Sequence, residues 1–240
     1  MLGVVTKLRV LDLYCGGGGA AVGIRQAIAG VRITGIDINR QADYPFKLFQ
    51  ANICLLFNKP QLWKWFSGKF DFIWASPPCQ AYSRAAQSWM GNQELPALIP
   101  ETRELLQKSG KPYCIENVES APLETTSIRL CGEMFGLGVI RHRLFETNWP
   151  CPEPIHVPHR RAEFVPGRKH KQSPYCSVAG NGGDSWSYKL SDWQQAMGID
   201  WITDRKTLVE AVPPAYSCYI LSQFLSWRRS DDERLRDYPR

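Results

Sequence analysis

Short apolar runs, each bounded by glycine, proline or polar residues, punctuate the first half of the chain. Leu8 to Leu13 (Leu-Arg-Val-Leu-Asp-Leu) predicts a buried strand. Val31 to Ile36 predicts a second, ending in Asp37, and Phe70 to Ala75 a third, stopped by Ser76-Pro77-Pro78. Tyr113 to Ile115 predicts a further strand that ends in Glu116. Helical patterns lie between them: Ala20 to Ala29, with Gly30 as its stop, Pro60 to Ser67, and a stretch around Pro100 to Lys108. Strands alternating with helices imply parallel βαβ units, hence an α/β fold with a doubly wound sheet. Ser191 to Met197 and Pro214 to Trp227 predict helices that return to this scaffold, and the charged residues from Asp231 to Arg240 predict a frayed tail. No internal repeat or low-complexity block interrupts the pattern.

Composition narrows the class. The 240 residues suffice for one large domain, or one domain and a small extra piece. With 44% hydrophobic and 22% charged residues, the chain is not disordered, collagenous or a coiled coil. No apolar run approaches the roughly 18 residues of a membrane span. The first residues lack the order of a signal peptide, so a soluble cytoplasmic protein is expected. Eight cysteines are scattered without a CxxC pair, which fits reduced thiols.

The net charge of +6 makes a polyanionic partner plausible. It is concentrated from Arg141 to Lys171, where seven Lys/Arg face three acids and contribute +4. The same stretch holds five prolines and His156, His159 and His170, which marks a loop-rich insertion. Arg160, Arg161, Arg168, Lys169 and Lys171 suit phosphates. Ala179-Gly180-Asn181-Gly182-Gly183 would permit close backbone approach to a groove. The set Cys151, His156, His159, His170 and Cys176 matches no standard zinc spacing, so no metal is expected. The resulting division is 7–147 catalytic, 148–190 insertion, 191–228 return to the scaffold and 229–240 tail.

Four motifs carry chemistry. Asp12-Leu13-Tyr14-Cys15-Gly16-Gly17-Gly18-Gly19 is a strand, a glycine turn and a helix start, suited to a nucleotide-like ligand. Asp37 follows Gly16 by 21 residues at the next strand's tip, where an acid binds ribose hydroxyls. This motif alone does not separate a nicotinamide cofactor from S-adenosylmethionine. In Ser76-Pro77-Pro78-Cys79-Gln80, two prolines fix the backbone at a strand end, so the Cys79 thiol is aimed. A thiolate is a strong nucleophile once its pKa falls or a base assists. In Glu116-Asn117-Val118, a carboxylate at a strand end can hydrogen-bond or protonate a ring nitrogen. In Arg141-His142-Arg143, alternation places both arginines on one face, ready for a phosphate or a base oxygen.

Taken together and in this order, these residues resemble the DNA cytosine-5 methyltransferases, from Val10 to about Phe224. Leu130-Cys131-Gly132-Glu133-Met134-Phe135-Gly136 and Val212-Pro213-Pro214-Ala215-Tyr216 look like further family segments. The brevity is most similar to compact bacteriophage and prophage members. The resemblance implies a Rossmann-like methyltransferase fold that uses S-adenosylmethionine, with a small target-recognition insertion. It makes Cys79 the nucleophile that adds to cytosine C6, Glu116 the contact to N3 and the exocyclic amine, and Arg143, with Arg141, the groups that hold the cytosine or its phosphate. Tyr14, Cys15, Gly16, Gly17, Gly18, Gly19, Asp37, Ile38, Asn52 and Pro77 would bind the methyl donor. Gln80, Ser83, Asn117 and the basic insertion would contact duplex DNA, with the target base flipped out and the chain acting as a monomer.

Departures from the family pattern bear on these roles. Val139 stands where a glutamine usually opens Gln-x-Arg-x-Arg, Asn52 where an aspartate is usual, and Val209-Glu210 where Gly-Asn precedes Val-Pro-Pro. The Glu210 carboxylate would tolerate a cationic sulfonium and disfavour a carboxylated donor. A short insertion reaches few base edges, which implies a target of about two or three base pairs. An RNA cytosine methyltransferase of the same fold and a catalytically silent DNA- or cofactor-binding homologue are the rival readings. An NAD-dependent oxidoreductase explains the glycine turn and gives Pro77-Pro78-Cys79 no task.

Overall fold

The computed structural model describes residues 7–82, 96–156, 159, 175–178 and 188–237. The strands are β1 (Arg9–Leu13), β2 (Arg32–Asp37), β3 (Lys47–Gln50), β4 (Phe72–Ala75), β5 (Tyr113–Asn117), β6 (Ile128–Leu130) and β7 (Arg143–Thr147). The helices are α1 (Gly19–Ala27), α2 (Pro60–Ser67), α3 (Ile99–Ser109), α4 (Leu190–Met197), α5 (Arg205–Glu210) and α6 (Pro214–Asp237), with 3₁₀ turns at Ile53–Leu56 and Gly132–Phe135.

Alternation within the strands builds two cores. Val10 of β1, Phe72 and Trp74 of β4 and Cys114 of β5 point to one face, where α1 and α6 pack. Leu11 and Leu13, Ile73 and Ala75, and Tyr113 and Ile115 point to the other, with Trp63 of α2 and Leu105 and Leu106 of α3. Burial on both faces is what makes these central strands read as continuous apolar runs. The helices α1 and α6 come very close. A Cβ at Gly23 would lie 1.9 Å from the Pro214 carbonyl oxygen and 2.1 Å from Ser217 Oγ. A third core joins Val139 and Val178 to Trp193, Met197, Ile199, Ile202 and Leu208, and so attaches α4 and α5 beside the glycine turn.

The seven-stranded sheet has the order β3-β2-β1-β4-β5-β7-β6. Strand β1 pairs in parallel with both β2 and β4, so chain connections diverge beyond its carboxyl end and leave a crevice there. The expectation of parallel units holds from β1 to β5. It does not hold for β7, which runs antiparallel to β5 and to β6. No crossover helix separates β6 from β7, and a short return favours the antiparallel pairing. The reversal brings the start of β7, at Arg143, beside the end of β5, where Asn117 pairs with Leu144.

Other boundaries differ for local reasons. Strand β3, Lys-Leu-Phe-Gln, is a largely exposed edge without the apolar run that marks its neighbours. The tail expected to fray continues α6 to Asp237. Nothing between Trp227 and Asp237 breaks a helix, the next proline being Pro239. No helix among the described residues is long and apolar enough to cross a membrane.

One acid lies inside the first core. Asp12 is fully buried, its Oδ2 accepts from the Tyr44 hydroxyl at 3.1 Å, and its Oδ1 has no partner. Burial pushes the carboxyl up to about 8, which keeps it protonated at neutrality. A carboxyl whose folded pKa exceeds its unfolded one contributes stability that is full below the unfolded value, is lost as pH rises between the two, and is gone above the folded value. Thermal unfolding followed against pH should therefore show the melting temperature falling from about pH 4 and levelling off above about pH 8, and Asp12→Asn should flatten this fall. Gly23→Ala should lose about 3 kcal/mol in chemical denaturation, because backbone atoms stand where the new methyl must go.

Candidate active site

The crevice at the carboxyl ends of β1, β2, β4 and β5 collects most of the described candidate residues. On the donor side, the chain turns sharply after β1, with Tyr14 in a left-handed conformation at φ 57° and Gly16 at φ 48°. A Cβ at Gly16 would meet nothing within 4 Å, so the turn borders open space. Asp37 closes one side: its Oδ2 accepts from the Gly16 N–H at 3.0 Å and its Oδ1 from the Asn39 N–H at 2.9 Å. Ile38 is 58% exposed beside it, an apolar surface on which a planar ring can lie. The Trp201 indole donates to the Gly17 carbonyl at 2.9 Å and ties the third core to the turn.

Several expected donor contacts take a different form. The Tyr14 hydroxyl is engaged with Thr102 Oγ1 at 2.8 Å, toward α3. Cys15 is buried in the first core, and desolvation raises its thiol far above the ordinary value, so it serves the turn through its backbone. Asn52 Oδ1 accepts from the Cys54 N–H at 3.0 Å and caps the 3₁₀ turn.

On the chemical side, β4 ends in Ala75 and the chain passes through Ser76, Pro77 and Pro78 to Cys79. Asn117 was expected to contact DNA. It is instead 2% exposed, and its Nδ2 donates to the Pro77 carbonyl at 2.8 Å while its Oδ1 accepts from the Val118 N–H at 3.0 Å. Its amide braces the nucleophile loop against β5. The sequence signal was its place next to Glu116, but a strand-end asparagine serves a neighbouring loop as readily as a ligand.

Glu116 is 6% exposed, and its Oε1 lies 3.3 Å from Arg143 Nε. Burial raises the Glu116 carboxyl, opposed first by the Arg143 charge and then by a hydrogen bond from Ser76. The Cys79 thiol is also raised by burial. Arg143 lowers it, Glu116 raises it, Arg141 lowers it and Glu210 raises it. These charges place Cys79, Glu116, Arg143 and Arg141 within one electrostatic neighbourhood. A thiol awaiting activation and a carboxyl raised toward neutrality suit nucleophilic attack coupled to proton sharing.

Arg141 is 8% exposed, and one guanidinium nitrogen donates to the Val209 carbonyl at the end of α5. Its Nε has no partner, and burial lowers its pKa to about 9. Tyr216 donates its hydroxyl to the Arg141 carbonyl at 2.6 Å. Val139, in place of the usual glutamine, is 1% exposed in the third core, so packing takes over as the anchor of this segment. Partial desolvation pushes the Glu210 carboxyl up, opposed by the Lys206 charge and aided by that of Asp37. Ser83, Arg160, Arg161, Arg168, Lys169 and Lys171, and the glycine-rich stretch from Ala179, lie outside the described residues.

An α/β sheet with a crevice at its switch point, and a half-buried thiol beside a buried carboxyl and guanidinium on the adjoining strand ends, suits group transfer between two substrates. Residues 8–125 match the family described as C-5 cytosine-specific DNA methylase. That match covers just under half of the chain, and the seven-stranded sheet with its flanking helices is an α/β, Rossmann-like methyltransferase fold. No curated protein matches it in sequence. Among solved structures, it is similar to the Entamoeba histolytica methyltransferase EhMeth, at 13% identity and a TM-score of 0.49 over 94% of this chain and 99% of that one. It is also similar to the plantazolicin methyltransferase BpumL in complex with SAH, at 17% identity and a TM-score of 0.28 over 46% of this chain and 39% of that one. Human methyltransferase-like protein 13, also in complex with SAH, shows 13% identity and a TM-score of 0.30 over 62% and 75%.

The charges around Cys79 generate a prediction of opposite signs. Glu116→Gln removes a charge that raises the thiol, and Arg143→Met removes the leading charge that lowers it. Iodoacetamide labelling of the Cys79 peptide, followed by mass spectrometry across pH, should accelerate in the first variant and slow in the second. Each change should be roughly two- to tenfold, as for a shift of up to about one pKa unit. Equal rates in both variants would contradict the arrangement.

Proposed function

We propose that this protein is a DNA cytosine-5 methyltransferase that acts as a monomer on duplex DNA with S-adenosylmethionine as donor. The observation that carries the reading is the convergence of Cys79, Glu116 and Arg143 at the strand ends beside the glycine turn. The turn fits the donor: its backbone borders open space at Gly16, Asp37 stands at the ribose position, and Ile38 offers an apolar face for adenine. When bound, the donor supplies an electrophilic methyl group on a sulfonium.

Cytosine C5 is a poor nucleophile, and the protein's task is to make it a better one. Cys79 Sγ adds to C6, which gives C5 enamine character. Glu116 hydrogen-bonds N3 and the exocyclic amine and shares a proton with N3 as the ring gains electron density. Its raised carboxyl suits that exchange, since it holds a proton closer to neutrality than an ordinary glutamate does. Arg143 keeps Glu116 in place and offsets its charge, and the unpartnered Arg141 Nε is a donor for the cytosine or its phosphate. After transfer, loss of the C5 proton expels Cys79 and restores aromaticity. The base reaches Cys79 only when flipped from the stack.

The basic stretch from Arg160 to Lys171 supplies phosphate contacts that weaken with salt, and Gln80 and Ser83 follow the nucleophile toward the DNA. Its shortness favours a target of about two or three base pairs. Glu210 near the crevice favours a cationic donor over a carboxylated one.

Base-resolution methylation mapping of DNA from cells expressing the chain should show 5-methylcytosine in a short motif. Cys79→Ser and Glu116→Gln should each lower product by at least about a hundredfold. Unchanged product from Cys79→Ser would refute the covalent route. Equal labelling of tRNA and duplex DNA by a radiolabelled donor would overturn the preference for DNA.

A further inference from the structure

We propose that Cys131, His142, His156 and His159 form a structural zinc site that clamps the segment after β7 to the catalytic end of the sheet. The ligand atoms of these residues all lie within 4.8 Å of one another. His159 Nε2 is 3.3 Å from Cys131 Sγ, 3.0 Å from His156 Nε2 and 3.2 Å from His142 Nε2. Zinc bonded to nitrogen at about 2.0–2.1 Å and to sulfur at about 2.3 Å sets tetrahedral ligand atoms roughly 3.3–3.6 Å apart. The three distances from His159 Nε2 lie at or a few tenths of an ångström below those values, and the remaining pairs lie within 4.8 Å.

Two carboxylates approach the cluster from outside. His142 Nδ1 lies 3.5 Å from Glu119 Oε2, and His159 Nδ1 lies 2.9 Å from Glu133 Oε2. The second is a close approach without hydrogen-bond geometry, since Glu133 Oε2 and His159 Nδ1 are buried with no hydrogen-bond partner. Three imidazole nitrogens and a sulfur face one another, a donor set that a cation at the centre satisfies. Carboxylates beside two of the three imidazoles would help to orient them on a metal. Glu133 is itself fixed by the Tyr175 hydroxyl, which donates to Oε1 at 2.7 Å, and Glu119 by Arg129 at 3.6 Å. One sulfur with three imidazoles suits zinc, and four protein ligands leave no open position for a reacting water.

The sequence reading expected no metal because it sought a finger-like spacing in Cys151, His156, His159, His170 and Cys176. Among the described residues of that set, His156 and His159 belong to the cluster, and His170 lies outside the described residues. Cys131 closes β6 and His142 lies between Arg141 and Arg143, and only the antiparallel return of β7 brings these to the other pair. The site therefore holds the backbone from which both arginines project. His159 directly precedes, in sequence, the basic stretch that begins at Arg160.

The full-length chain, purified from zinc-containing medium, should carry about one zinc by elemental analysis. His156→Ala and Cys131→Ala should lose it, and Cys54→Ala, remote from the cluster, should keep it. Wild-type protein without stoichiometric metal, or full zinc retained in both ligand variants, would overturn the site. Because a variant that fails to fold loses metal trivially, a second measurement uses wild-type protein in which cobalt replaces zinc. Intense tetrahedral bands and a sulfur-to-cobalt charge-transfer band support the site. Weak octahedral bands, or tetrahedral bands without the sulfur transition, contradict it.

Discussion

The contact between Glu116 and Arg143, 3.3 Å apart and set where β5 ends and β7 begins, is the constraint on which the site depends. A buried carboxylate is costly without a cation beside it, and losing the half-buried guanidinium of Arg143 leaves Glu116 uncompensated. Only a strand that runs against β5 delivers its first residue to the carboxyl end of its neighbour. The antiparallel β7 is therefore what supplies cationic groups to an edge that parallel strands otherwise furnish with loop residues. The same pair governs the thiol, since Arg143 lowers Cys79 while Glu116 raises it.

Around this pair, side chains hold backbone rather than ligand. Asn117 fixes the Pro77 carbonyl and with it the approach to Cys79. Arg141 reaches the Val209 carbonyl, Tyr216 reaches the Arg141 carbonyl, and Trp201 reaches Gly17. These bonds connect the end of α5, the start of α6 and the glycine turn into one frame. The donor crevice and the nucleophile loop thus share supports, and the third core that carries them replaces a usual polar contact with the buried Val139.

Much of this was legible in the residues. Strands β1, β2, β4 and β5 are buried on both faces, which leaves an apolar run that can be read directly. Cys79 was marked by two prolines, and Glu116 and Asp37 by their places at strand ends. What was not legible depends on long-range pairing. Strand β3 is an exposed edge of mixed polarity, and nothing local states that β7 reverses. The bracing role of Asn117 requires knowing that Pro77, 40 residues earlier, lies against it. The cluster of Cys131 and His142 with His156 and His159 is assembled by the sheet, so linear spacing does not reveal it.

The account's central claim is that Cys79 is the atom that bonds to cytosine. Duplex DNA containing 5-fluorocytosine tests it directly, because a C5 fluorine cannot leave as a proton does and the adduct persists after methyl transfer. With S-adenosylmethionine present, peptide mapping should find the DNA linked to Cys79 alone among the eight cysteines. The absence of an adduct, or its attachment to another cysteine, would contradict the account.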